Sequence, residues 1–261
     1  MNNLNIIAYY LPQFHPVSEN DTWWGKGFTE WTNVAKAKPL FKGHKQPNIP
    51  ADLGFYDLRY PEIKVEQAEL AKEAGISAFC YWHYWLGGGK RLLSQPFDDV
   101  VKSGKPDFPF CLGWANHDWQ RKDWNSQSNY IVKEILARQE YGGVPDYTNH
   151  FYDMLPAFKD ERYFKVDNRL VFSIFHPQAI PEPQLFFSTF NSLAKQNNIP
   201  QFYFVAITVD EASVDKYINQ GYDLVNINPL NKAFKISYSK INIIKRYILN
   251  KVFGKVNVLN Y

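Results

Sequence analysis

Apolar runs of five to seven residues, closed off by Gly, Pro, Asn or Asp, alternate along this chain with stretches where apolar side chains recur every three or four positions. The first pattern predicts buried strands and the second amphipathic helices. Strands are expected at residues 5–10, 77–82, 108–114, 170–175, 202–208 and 224–228. Helices are expected at 63–74, 97–103, 148–155, 184–196 and 213–219, and Val65, Ala68, Leu70 and Ala71 keep the period in the first of them. Gly75, Gly104 and Gly221 each follow a helical stretch, where a chain commonly turns left-handed to end a helix.

Such alternation argues for an α/β fold with a parallel sheet covered by helices. The run from Phe202 to Thr208 is almost continuously apolar, which fits burial on both faces. Candidate chemistry gathers after the strands' C-terminal ends, as in a (β/α)8 barrel of TIM type. Six strand–helix units are legible where such a barrel has eight, so an incomplete barrel is expected over residues 1–230. Residues 231–261 read as a separate basic, partly helical segment. The connection from 11 to about 60 is long and rich in Trp, Pro and Gly, and loops of that length are generally functional.

Aromatic residues make up 17% of the chain, an excess that either fills a core or lines a binding surface. The net charge of +3 conceals an asymmetry: residues 231–261 hold seven Lys/Arg and no acid, so the first 230 sum to −4. A mildly acidic body gives no reason to expect nucleic acid. Ile241, Ile244, Ile248 and Val252 recur at helical spacing among Lys240, Lys245, Arg246 and Lys251. A basic amphipathic helix over 240–253 suits either an anionic membrane surface or packing on the domain. Cys80 and Cys111 fall in apolar strands and read as buried free thiols of a reducing compartment. With no leader-like start and no run near 20 apolar residues, the expected location is cytoplasmic, peripheral to the inner membrane if the tail binds it.

Three strand exits carry one chemistry, rings beside hydrogen-bonding groups, which is what a sugar's apolar faces and hydroxyl rim require. The first supplies Tyr9, Tyr10, Gln13, His15, Trp24, Glu30 and Trp31; the second Tyr81, His83 and Trp85; the third Trp114, Asn116, His117, Asp118 and Trp119. Alternation puts Phe79, Tyr81, His83 and Trp85 on one face of their strand and Ala78, Cys80, Trp82 and Tyr84 on the other. His83 suits proton transfer or a hydroxyl contact, or else a core histidine bonded to backbone. Asp118 suits catalysis, pairing with Arg121, or helix capping. Glu30 among rings suits a general acid, or a loop anchor accepting backbone hydrogen bonds. His176, Asp210, Glu211, Asn226 and Asn228 are weaker candidates at later exits. Gly87-Gly-Gly-Lys90 lacks the spacing of a phosphate loop, the histidines lack metal-ligand spacing, and no dinucleotide fingerprint or nucleophile elbow occurs. No metal and no cofactor are expected.

Several segments together resemble the WbsX family of bacterial polysaccharide-biosynthesis proteins, described as glycosyltransferases and related to glycoside hydrolase family 99. They are Tyr9-Tyr-Leu-Pro-Gln-Phe-His-Pro16, Trp23-Trp-Gly-Lys-Gly-Phe-Thr-Glu-Trp-Thr-Asn-Val34, Pro50-Ala-Asp-Leu-Gly-Phe-Tyr-Asp-Leu-Arg59, Phe79-Cys-Tyr-Trp-His-Tyr-Trp85, Lys105-Pro-Asp-Phe-Pro-Phe110 and Leu155-Pro-Ala-Phe-Lys-Asp160. The resemblance implies a (β/α)8 barrel acting on a mannose-like glycan or a sugar nucleotide without metal. Members usually read Trp-Ala-Asn-Glu-Asn-Trp at the third exit, where this chain has His117 and Asp118. They also carry a later Glu-Trp-x-Glu, which this chain lacks; its Glu-Trp is Glu30-Trp31. The resemblance therefore implies a C-terminally truncated member, either active in glycosyl transfer or hydrolysis or reduced to glycan binding.

Overall fold

The computed structural model describes residues 4–39, 43–125 and 130–228, the side chains of 122–133 excepted. Its strands are β1 (Ile7–Tyr10), β2 (Ala78–Trp85), β3 (Arg91–Leu92), β4 (Phe110–Trp114), β5 (Trp119–Asn125), β6 (Tyr130–Ala137), β7 (Lys165–Val166), β8 (Arg169–Ile174), β9 (Phe202–Thr208) and β10 (Leu224–Ile227). Its helices are α1 (Ser18–Trp24), α2 (Glu30–Lys36), α3 (Pro61–Glu73), α4 (Gln95–Ser103), α5 (Gly143–Phe158), α6 (Pro183–Gln196) and α7 (Val214–Asn219).

The order β1-β2-β4-β8-β9-β10 is parallel throughout, and α3, α4, α5, α6 and α7 fill the successive crossovers. The described residues form the curled, incomplete barrel of (β/α)8 type that the alternation predicts. Among the described strands β1 and β10 are the two edges. Asn226 on β10 donates to the Tyr9 hydroxyl on β1 at 2.8 Å, a bond that the curl of the sheet makes possible.

Strand positions follow the predicted ones closely, and 202–208 coincides with β9. Helices start earlier than their first apolar residue because Pro61, Pro96 and Pro183 occupy first turns, where proline's fixed φ fits and no donor is lost. The connection from 11 to 60 holds α1 and α2, two seven-residue helices without a periodic apolar face. Between 119 and 137 the chain makes an antiparallel hairpin, β5–β6, which rises from the β4 exit. Residues 231–261, with their expected boundary at 230 and helix at 240–253, lie outside the described residues. Among the described residues no helix is long and apolar enough to cross a membrane.

Much of the aromatic excess packs between the sheet and its helices. Phe110, Phe151, Phe158, Phe172, Phe186, Phe190, Phe202 and Phe204 belong to one buried cluster. Cys80 and Cys111 are both buried and free, as expected, and pair across β2 and β4.

One glycine ties the hairpin to the barrel. Gly87 follows β2 with φ +90°, and a Cβ there would lie 2.7 Å from the Glu140 carbonyl oxygen. Just beside it, Glu140 donates its backbone N–H to Leu86. Gly87→Ala is expected to cost about 2–4 kcal/mol, combining left-handed strain with a backbone clash. Urea denaturation of the variant checks this.

Candidate functional site

The two faces of β2 decide which predicted residues can meet a ligand. Cys80, Trp82 and Tyr84 point into the barrel, as do Tyr9 and Asn226. Trp82 lies over Gly113, where an added Cβ would come within 3.1 Å of the indole. Tyr9 stacks on Trp82 (4.8 Å, 8°), and Trp82 meets Phe175 edge-on at 5.3 Å. Phe175 in turn contacts His117 (5.3 Å) and His176 (4.6 Å). An aromatic track therefore runs across the strand ends.

Tyr10, Tyr81, His83, Trp85 and Trp114 face the helices instead. Tyr10 donates its hydroxyl to Gln67 on α3, and Tyr81 packs on Phe97 of α4. Trp114 donates its indole N–H to the Trp85 carbonyl at 2.8 Å and stacks on Phe186. His83 Nε2 lies 2.8 Å from His150 Nε2 of α5, both rings are buried, and the His150 ring packs among Trp85, Trp114, Phe172 and Phe190. These five residues are core, which corrects the expectation that they line the ligand cleft. The reason is partly one of length: β2 continues to Trp85, so His83 sits inside the strand rather than past its end.

The first exit forms a second group. Trp31 donates its indole N–H to the Tyr56 carbonyl at 2.7 Å, among the rings of Phe14, Phe55 and Tyr56. Leu58 donates its backbone N–H to Phe14, and the buried Lys64 ammonium donates to the Leu58 carbonyl at 2.9 Å. The 50–59 segment thus latches the loop. His15 is fully buried beneath it, and burial lowers its pKa. Glu30 is the first residue of α2, and its backbone N–H reaches the Gln13 carbonyl at 3.4 Å.

The loop meets the barrel mouth at Tyr84. Gln13 donates to the Tyr84 hydroxyl at 3.2 Å, and burial, with a contribution from the Glu30 carboxylate, pushes that phenol up to about 12. Tyr84 stacks on Trp119 (5.1 Å), which also meets Trp23 (5.5 Å). Trp24 packs on Phe28 beneath the Arg121 guanidinium, and Arg121 donates to the Trp23 carbonyl at 3.1 Å. Rings and cation together hold β5 against α1.

Above the ends of β4 and β8 opens a cleft of about 740 Å³, lined by Asn116, His117, Asp118, Trp119, Gln120, Gln139, Tyr141, Phe175, His176 and Ala179. Asn116 is fully buried and clamps its two walls. Its Oδ1 accepts from the His176 N–H (2.7 Å), while its Nδ2 donates to the His176 carbonyl (2.8 Å) and the Tyr141 hydroxyl (3.1 Å). Tyr141 returns a bond to the Asn116 carbonyl at 3.0 Å, and burial lifts its phenol to about 12. Asp118 Oδ1 accepts from the Gln139 N–H at 2.8 Å, so the carboxylate fastens the hairpin's return to its start. A second pocket of about 320 Å³ shares Phe175 and His176 and continues toward Thr208, Tyr217 and Asn228.

Of the predicted residues, the cleft therefore gathers Asn116, His117, Asp118 and Trp119, with His176 from the weaker candidates, and Tyr9 stands on the aromatic track beside it. Tyr84, Trp82, Gln139, Tyr141 and Phe175 were not among the predicted site residues. Tyr84 and Trp82 were legible as the opposite parity of the same strand. Gln139 and Tyr141 arrive through a hairpin that the apolar pattern does not signal.

Residues 6–261 match the family model of Glycosyltransferase WbsX. Over 198 residues the chain is 39% identical to Uncharacterized protein WxcX of Xanthomonas campestris pv. campestris, equally in strains B100 and ATCC 33913. Those matches cover 76% of this chain and 28% of each relative, so the chain spans under a third of the length of the curated relatives it matches. Among solved structures it is similar to the GH99 endo-alpha-mannosidase from Bacteroides thetaiotaomicron in complex with BIS-TRIS-Propane. The TM-score is 0.52 at 14% identity, covering 85% of this chain and 58% of that one, a likeness of fold.

Proposed function

The chain belongs to the WbsX glycosyltransferase family, and on that premise we propose that it is a carbohydrate-active protein of bacterial surface-polysaccharide assembly whose cleft holds a mannose-like glycan. The observation that carries this reading is the cleft itself: rings of Trp119 and Phe175 beside the polar edges of His117, His176 and Gln139, at the C-terminal end of parallel strands. Rings cover the C–H faces of a sugar, and polar edges meet its hydroxyls.

The family's chemistry would be glycosyl transfer or hydrolysis through an oxocarbenium-like centre. That chemistry normally uses two carboxylates about 5–10 Å apart. The carboxylate lining the described cleft is Asp118, and one of its oxygens is committed to Gln139. Binding is accordingly better supported than turnover, and a glycan-binding role without catalysis is the second reading. Membrane contact through 240–253 and use of a sugar nucleotide belong to the same proposal.

Calorimetry of the 261-residue chain with a neutral α-manno-oligosaccharide, paired with chromatographic detection of released sugar, separates these readings. Saturable binding with little or no product is the expected result. Efficient turnover would refute the binding-only assignment, and a folded sample that binds no glycan would refute both.

A further inference from the structure

His117, from the β4 exit, and His176, from the β8 exit, both line the cleft. Their ring centroids are 5.5 Å apart and their planes nearly perpendicular. What each Nδ1 meets fixes its tautomer. His117 Nδ1 lies 2.9 Å from the Asp118 carbonyl oxygen, which can only accept, so Nδ1 carries the hydrogen and Nε2 holds a lone pair. His176 Nδ1 lies 3.0 Å from the Gln178 Nε2 amide, which can only donate, so here Nδ1 holds the lone pair and Nε2 carries the hydrogen. On the amide's other side, the Tyr217 hydroxyl donates to Gln178 Oε1 at 3.3 Å. Burial first, and then the neighbouring His117, lower the His176 pKa, which favours its neutral form. Phe175 packs against both rings and limits their rotation.

We propose that His117 and His176 form a matched acceptor–donor pair that selects a neutral hydroxyl of the bound sugar. The His176 Nε2–H donates to the hydroxyl oxygen, and the hydroxyl's own hydrogen goes to the His117 Nε2 lone pair. This rests on the glycan reading above and specifies the group recognised. A carboxylate or ionised phosphate oxygen has no hydrogen to give His117. An ammonium has no lone pair for His176. Charged groups of either sign therefore leave one ring unpaired, which costs affinity because the unmet group has lost its water. The pair places a sugar hydroxyl, rather than a carboxylate or an ionised phosphate oxygen, at this point of the cleft.

Long-range ¹H–¹⁵N spectra of the histidine-labelled 261-residue chain at pH 8 test this directly, with assignments made from single variants. The expected spectrum shows His117 protonated on Nδ1 and His176 protonated on Nε2. Neutral mannotriose should shift both Nε2 signals, while acetate and sulfate, whose oxygens carry no hydrogen at pH 8, should leave them in place. His117→Gln keeps an acceptor and should bind mannotriose within about three-fold of the parent. His117→Leu should bind about ten-fold more weakly, as for a lost hydrogen bond with its partner unpaired. Thermal melts confirm that both variants fold. The opposite tautomer on either ring overturns the pair outright. So does a sugar that moves the Trp119 indole signal but neither histidine, and in that case the glycan reading survives. If mannotriose moves no cleft signal at all, the glycan reading falls and takes the pair's role with it.

Discussion

Asn116→Ala is expected to lower stability by about 3 kcal/mol and to weaken glycan binding by at least ten-fold. The side chain spans two strand exits, with one bond to the His176 N–H, one to its carbonyl and one to the Tyr141 hydroxyl. Alanine leaves those groups without their partner, and each half-buried group stranded in this way costs about 1 kcal/mol or more. The walls that the clamp holds together carry His117 on one side and His176 on the other, so affinity should fall along with stability. Asn116→Asp is the sharper control. It keeps an acceptor for the His176 N–H but turns a carboxylate toward the His176 carbonyl, and it should be at least as damaging as alanine. Urea denaturation gives the first number and calorimetry the second. A variant that loses stability but binds normally would separate the clamp from the site.

Acid should unfold this protein earlier than surface carboxylates alone would explain. His83 and His150 share one hydrogen bond of 2.8 Å in the buried interior, which requires one neutral ring to donate and the other to accept. Burial drives both pKa values well below 6.5; the nearby Arg91 adds to this for each ring, as His150 does for His83. Folded-state values are depressed, so the unfolded chain binds more protons below pH 6.5. The pair's contribution is therefore fully present above that pH and is lost as pH falls toward the folded-state values. Each histidine contributes a slope of about 1.4 kcal/mol per pH unit, so the pair should remove about 2.5–3 kcal/mol between pH 7.5 and 5.5. Denaturation curves at those two pH values, for the parent and for His83→Gln/His150→Gln, isolate the effect. The double variant should lose less stability on acidification by about that amount, and equal losses would contradict the assignment.

Much of the barrel was legible because a strand buried on both faces announces itself. Phe202–Thr208 has one apolar meaning wherever it is placed. The same property hid the site. In β2 both alternating sets are aromatic, so sequence alone separates Tyr81, His83 and Trp85 from Cys80, Trp82 and Tyr84 without saying which set faces the helices. The deciding contacts, Phe97 on Tyr81 and His150 on His83, come from α4 and α5 and are tertiary. The β5–β6 hairpin was illegible for a related reason. Its first strand begins Trp-Gln-Arg, and the contacts that seat it come from α1, about a hundred residues earlier in the chain. At the third exit Asn116, His117 and Trp119 line the cleft because they follow a strand end whose position the apolar run fixes, whereas Trp114, inside that strand, turns into the core.

The central claim is that a glycan is held at the β4 and β8 exits rather than among the rings of the N-terminal loop. Saturation-transfer NMR with a neutral α-manno-oligosaccharide addresses that most directly, comparing the parent chain with Trp119→Ala and Trp31→Ala. Transfer to the sugar's C–H protons should be strong in the parent, persist in Trp31→Ala and largely vanish in Trp119→Ala. Transfer that survives loss of Trp119 but disappears with Trp31 would place the ligand at the Phe14, Trp31 and Phe55 cluster and contradict the assignment of the cleft.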